Sequence, residues 1–163
     1  MRVAVVTVSS SAAAGDAADT SGPRLAELIV NSGLAGSEEV ILRINSDERA
    51  SLASLLRSLA SDGVRLILTT GGTGFSTDDV TPEATLDVIE REAPGLSEAI
   101  RADAATRITT GILSRGVAGI IGSSLIVNLP GSPRGVEESF AVLAPVLPHA
   151  LAQLEGPGGR ERH

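Results

Sequence analysis

The sequence predicts an α/β fold built on a mostly parallel sheet with one antiparallel strand. Short apolar runs of strand length alternate with segments whose apolar residues recur at helical spacing. Such alternation implies parallel pairing through right-handed crossovers. A length of 163 residues suits one full core and is short for two. Residues 1–155 are therefore expected to form a single domain, and 156–163 a frayed tail.

The elements follow in order. Val3 to Val8 is a continuous apolar run suited to a buried strand. Ser9 to Gly22, "SSSAAAGDAADTSG", has neither period, and a connection this long inside a domain is usually functional or mobile. Pro23 opens a helix with Leu25, Leu28 and Ile29 on one face. "EEVILRIN", Glu38 to Asn45, reads as the second strand; Leu52, Leu55, Leu56 and Leu59 then mark a helix that Asp62-Gly63 ends. Val64 to Leu68 is the third strand. Two helices are expected next, from Pro82 to about Arg91 and from Gly95 to about Arg107. "VAGIIGSSLIVNLPG" reads as a hairpin turning at Gly122-Ser123. The final helical pattern, Val136 to Leu154, must kink or split at Pro145 and Pro148.

Composition excludes several chemistries. The net charge is −7 and the isoelectric point near 4.8, so the chain lacks the basic surface that nucleic acid requires. Phe75 and Phe140 are the only aromatics, too few for a base-stacking platform. No Cys occurs, and His149 and His163 are the only imidazoles; thiol catalysis, a Ser-His-Asp triad and a histidine zinc site are disfavoured. The N-terminus reads as a strand rather than a signal peptide, and no run approaches a membrane span. The expected setting is the cytoplasm, with neither membrane nor nucleic acid as partner.

In open α/β sheets ligands bind beyond the carboxyl ends of the parallel strands. That rule selects Ser9–Gly22, Asn45–Asp47, Thr69–Thr81 and Asn128–Pro133. Two of these loops end in Thr81-Pro82 and Ser132-Pro133, suited to cap a helix and open it, so two helix N-termini could face one cavity and favour phosphate. Taken alone, those dipeptides are more often ordinary capping chemistry than a ligand site. Gly71, Gly72 and Gly74 exceed the needs of a simple turn and allow a ligand to approach the backbone, although no Walker or dinucleotide fingerprint is present. Asp47 and Asp79 fall just past the second and third strands. Each has a plainer reading, Asp47 as a helix cap and Asp79 as a solvated turn residue. Facing a phosphate loop, the pair would need a divalent cation between itself and the ligand, as Mg²⁺ sites often provide. Arg115 is the best isolated basic candidate, with a surface role as its default.

"TTGGTG", "DVTPEAT", "LSRGVAGI" and "NLPGSPRGVEE", in this order and spacing, resemble the molybdenum-cofactor biosynthesis proteins of the MogA/MoaB type. The resemblance covers nearly the whole chain. It implies a three-layer α/β/α sandwich, molybdopterin-binding-domain-like, and a homo-oligomer, a trimer favoured over a hexamer. It also implies, with ATP and molybdopterin as substrates and Mg²⁺ as cofactor, transfer of AMP to the terminal phosphate of molybdopterin with release of pyrophosphate. Position by position, the family's catalytic and metal-holding acidic pair resembles Asp47 and Asp79. Its glycine loop resembles Thr70, Gly71, Gly72, Thr73 and Gly74, with Thr81 and Glu83 following. Ser9, Asp19, Ser21 and Gly22 match its first loop; Ser114 and Arg115 its "LSR" segment; Asn128, Pro130, Gly131 and Ser132 its second ligand loop. Ser10-Ser11, Thr77-Asp78, Ile121 and Ser123 stand where relatives often carry basic residues. That loss of positive charge motivates an alternative, a non-catalytic molybdopterin-binding or carrier homologue.

Overall fold

The computed structural model describes residues 1–156. Six strands form one sheet: β1 (Val3–Val8), β2 (Val40–Asn45), β3 (Leu66–Thr70), β4 (Arg91–Glu92), β5 (Ala118–Ile121) and β6 (Ser124–Leu129). Their order across the sheet is β2-β1-β3-β6-β5-β4. β1 pairs in parallel with β2 and β3, and β3 with β6; β5 pairs antiparallel with both β6 and β4. β5 is thus the one strand running against the rest, as expected.

The central strands are buried on both faces, and alternate residues feed two cores. Val3, Val5, Leu66, Leu68, Val127 and Leu129 face one side. There they pack under α2 (Ser21–Asn31), α5 (Pro94–Ala105), α6 (Pro133–Leu143) and α7 (Leu147–Gln153). Ala4, Val6, Ile67 and Ile126 face the other side, under α3 (Arg49–Ser61) and α4 (Thr81–Leu86). Each fully buried Leu or Ile contributes about 1.5–3 kcal/mol, so an aliphatic core stabilises the three layers with little aromatic help.

Several boundaries differ from expectation. The first loop contains a short helix, α1 (Ser10–Ala13), capped by the Ser9 hydroxyl on the Ala12 amide. α2 begins two residues before Pro23. The helix expected from Pro82 to about Arg91 stops at Leu86, with Thr81 already inside it and Val80 at its cap. The β-branched pair Val88-Ile89 follows, and the chain turns extended to meet the open edge of β5: Glu90 N–H donates to the Ile120 carbonyl and Ala93 N–H to the Ala118 carbonyl, both at 2.8 Å. The hairpin turns at Gly122-Ser123, and the last helix splits at residues 144–146, both as expected. Of the expected tail, only Gly156 lies within the described residues.

Chain order fixes where a ligand can enter. The connection leaving β1 runs outward to β2, whereas the one leaving β3 runs towards the opposite side of the sheet. Their carboxyl ends diverge between β1 and β3, the switch point where open α/β sheets form crevices.

Candidate functional site

A crevice of about 270 Å³ opens at that point. Ser9, Asp19, Ser21, Thr70, Gly71 and Gly131 line it. Asp19 joins its two walls: Oδ2 accepts the Thr7 hydroxyl at 2.8 Å and Oδ1 the Gly22 amide at 3.0 Å, inside the first turn of α2. Thr7 was not singled out in the sequence, although a hydroxyl in an otherwise apolar strand is the signal that would have found it.

The glycine loop after β3 is shaped by the protein's own contacts. Gly71 and Gly72 adopt φ of +98° and +66°, and a Cβ would meet the Val8 carbonyl oxygen at 2.5 Å and the Thr81 hydroxyl at 2.3 Å respectively. Four consecutive carbonyls are held. Thr81 donates its hydroxyl to Gly71 O (2.8 Å) and its N–H to Gly72 O (3.1 Å). Arg115 donates its N–H to Thr73 O (2.8 Å) and Nε to Gly74 O (2.7 Å). A trans peptide is planar, so each N–H points opposite to its carbonyl. The amides of Gly72, Thr73, Gly74 and Phe75 therefore point away from the groups that hold the loop, and none of them has an acceptor among the described residues. Successive amides of this kind attract anions.

Asp47 does not cap α3. Its Oδ2 accepts the Ser10 amide at 2.7 Å, and its own N–H donates to the Ser10 hydroxyl at 2.9 Å, which ties the loop after β2 to the start of α1. Asp79 Oδ2 accepts the Ser76 amide at 2.9 Å and lies against Gly74, where a Cβ would approach it to 2.7 Å. Each carboxylate thus has one oxygen fixed by a backbone amide, while Oδ1 has no hydrogen bond among the described residues. Neither carboxylate lines the crevice itself; Asp47 sits one residue from its Ser9 wall and Asp79 beside the glycine loop.

Arg115 is engaged on all sides. Besides the two loop carbonyls, Nη2 donates to Asp79 O at 2.7 Å and Nη1 pairs with the Glu83 carboxylate. The hydrogen bond from Arg115 holds the Glu83 carboxyl below its usual range, and Glu83 raises the guanidinium in turn. No arginine lines the crevice. Of the glycine loop only Gly71 lines it, and the Gly71 amide is taken by the Leu129 carbonyl; residues 72–75 lie just beyond.

The second ligand loop divides between two cavities. Gly131 lines the crevice, while Pro130 and Ser132 line a neighbouring cavity of about 420 Å³ with Ser114, Ile100, Ile108 and Arg107. Ser132 caps α6 through the Gly135 amide at 3.0 Å, as its sequence context predicts. α4 instead turns inward: the Thr81 amide is taken by Gly72 O, Pro82 has no amide, and the Glu83 carboxylate is turned to Arg115. The two helix starts therefore do not face one cavity in the way the sequence suggests. Asn128 is 3% exposed and satisfied internally, donating Nδ2 to the Thr69 and Thr85 hydroxyls and accepting the Val117 amide. It braces β6 against β3 and α4.

A family model described as "Probable molybdopterin binding domain" matches residues 4–149. The chain belongs to that family. Among solved members, a MogA structure superposes with a TM-score of 0.88 at 42% identity, covering 94% of this chain and 99% of the other. The Mog protein of Mycobacterium ulcerans superposes at 0.87 with 39% identity over 94% and 98%. Molybdopterin adenylyltransferase of Escherichia coli K12 is 36% identical, covering 96% of this chain and 87% of that one. The molybdenum cofactor synthesis protein cinnamon of Drosophila melanogaster is 42% identical over 90% of this chain but only 24% of its own length. The chain likewise spans about half the length of two bacterial bifunctional molybdenum cofactor proteins that it matches. Among the described residues, no helix is long and apolar enough to cross a membrane.

Proposed function

We propose that this protein acts in molybdenum cofactor biosynthesis by transferring AMP from Mg-ATP to the terminal phosphate of molybdopterin, releasing pyrophosphate. One observation carries the reading: a run of acceptor-free amides directly after β3, with the half-engaged carboxylate of Asp79 against it. The names of its relatives support the substrates.

The donor set suits Mg²⁺. Asp47 and Asp79 each offer a hard carboxylate oxygen, and one or two carboxylates with substrate phosphates make up a common Mg²⁺ coordination. Those two residues would hold the ion, which neutralises phosphates that the carboxylates alone would repel. The amides of Gly72, Thr73, Gly74 and Phe75 would hold phosphate oxygens, and Ser9, Asp19, Ser21, Thr70 and Gly131 shape the crevice that ends at Gly71, next to them in the chain. Ser114, Pro130 and Ser132 contribute the neighbouring cavity to the pterin side. A terminal phosphate oxygen of molybdopterin forms the new bond to the α-phosphorus of ATP as the bond to pyrophosphate breaks. A phosphate monoester with its second pKa near 6 is mostly dianionic at pH 7. No proton has to be removed, and catalysis reduces to charge neutralisation and in-line placement. We assign the reaction to a cytoplasmic trimer, with exposed Phe75, Ile108 and Ile112 available for subunit contact.

Purified protein incubated with molybdopterin, ATP and Mg²⁺ is expected to form adenylylated pterin with equimolar pyrophosphate, and Asp79→Ala to abolish it. Binding of the pterin without adenylylation refutes the enzyme. It would favour the second reading, a carrier homologue, which the absence of arginine from the crevice lining supports.

A further inference from the structure

We infer that Arg115 is the positioning residue of this site, acting on the glycine loop and Asp79 through their carbonyls and not on the ligand as a cation. The inference rests on the adenylyl-transfer reading only for its consequence in activity. Three strands of geometry meet at this side chain. Its Nε holds Gly74 O at 2.7 Å, which orients the Phe75 amide; its Nη2 holds Asp79 O at 2.7 Å, which orients the Val80 amide and the backbone carrying the carboxylate. Its Nη1 is anchored by Glu83 on α4. The planar fork of a guanidinium reaches all three acceptors at once, which an ammonium on a flexible stem cannot do. All thirteen basic residues of the chain are arginine.

The two halves of the loop are held by different residues. Thr81 alone orients the Gly72 and Thr73 amides, through the carbonyls of Gly71 and Gly72. Loss of the guanidinium must then disturb one half and spare the other. A charge aimed at the ligand predicts something else: Arg115→Lys would keep the charge and most of the function, because lysine binds phosphate well as a point charge.

The test is amide NMR of the whole protein without substrate, comparing wild type with Arg115→Lys. The expected result is displacement and faster exchange of the Phe75 and Val80 amides, with Gly72 and Thr73 unmoved. Thr81→Val, as the converse, moves Gly72. Unmoved Phe75 and Val80 signals overturn the inference. In activity, Arg115→Lys and Arg115→Ala are expected to fall together by at least about tenfold, the scale on which one misplaced oriented donor is felt. Added guanidinium should restore part of the Ala variant's rate. Wild-type activity in Arg115→Lys overturns the inference. If Arg115→Lys does not fold, Glu83→Gln loosens the guanidinium without removing it; the same selective displacement supports the clamp, and its absence refutes it. The NMR readout uses no substrate, so it stands even if adenylyl transfer is never found.

Discussion

Gly72 and Thr81 show how closely single residues determine this site. Gly72 sits at φ +66°, with the Thr81 hydroxyl where a Cβ would lie. Gly72→Ala is expected to cost about 1–3 kcal/mol through backbone strain and displacement of Thr81, measured by denaturant unfolding. Thr81→Val leaves Gly71 O without its donor in a partly buried position and is expected to cost about 1–2 kcal/mol. The glycines were legible in the sequence because three in four positions is unusual. Their partners were not. Arg115 lies 41 residues from the Gly74 carbonyl it holds, and no local pattern marks such a pairing. The same holds for Asp47: its spacing after a strand suggests a helix cap, but its carboxylate reaches the Ser10 amide, 37 residues away.

At the scale of elements, strands and long helices were legible because burial on both faces and helical periodicity are written locally. The end of α4 was not. "TPEATLDVIERE" reads as continuous helix, and only the free edge of the distant β5 draws its second half into β4. α4 is held at both ends by arginines: Arg115 on Glu83, and Arg49 of α3 on both oxygens of Asp87 at 2.7 Å. Hydrogen bonding from those arginines lowers the Glu83 and Asp87 carboxyl pKa values below their usual range. The sign follows directly. A carboxylate with a depressed folded-state pKa contributes stability that is present above its unfolded pKa, about 4, and lost as pH falls through the folded value. Thermal unfolding should therefore show a midpoint flat from neutral pH to about 5 and falling below about 4. Glu83→Gln and Asp87→Asn should each flatten part of that acid limb. A limb unchanged in both variants would remove these pairs from the account.

At the scale of the molecule, the alternation of strands and helices with parallel pairing was readable, whereas the order across the sheet, which puts the crevice between β1 and β3, comes from long-range pairing that no local pattern marks. What the sequence did not reveal is the division of the second ligand loop between two cavities, since that depends on how α5 packs beside α6. An acidic chain holding an anion at two carboxylates depends on a divalent ion, so chelation with EDTA is expected to abolish adenylyl transfer and Mg²⁺ to restore it. The proposed trimer predicts a light-scattering mass three times 16.5 kDa; a monomeric mass at working concentration would contradict it. The central claim is that phosphate rests on the amides of residues 72–75 with Mg²⁺ at Asp47 and Asp79. Its most direct measurement is amide NMR during addition of a non-hydrolysable ATP analogue with Mg²⁺. Large downfield shifts of Gly72, Thr73, Gly74 and Phe75 that vanish in Asp79→Ala are predicted; saturating binding that leaves all four unmoved would contradict the account.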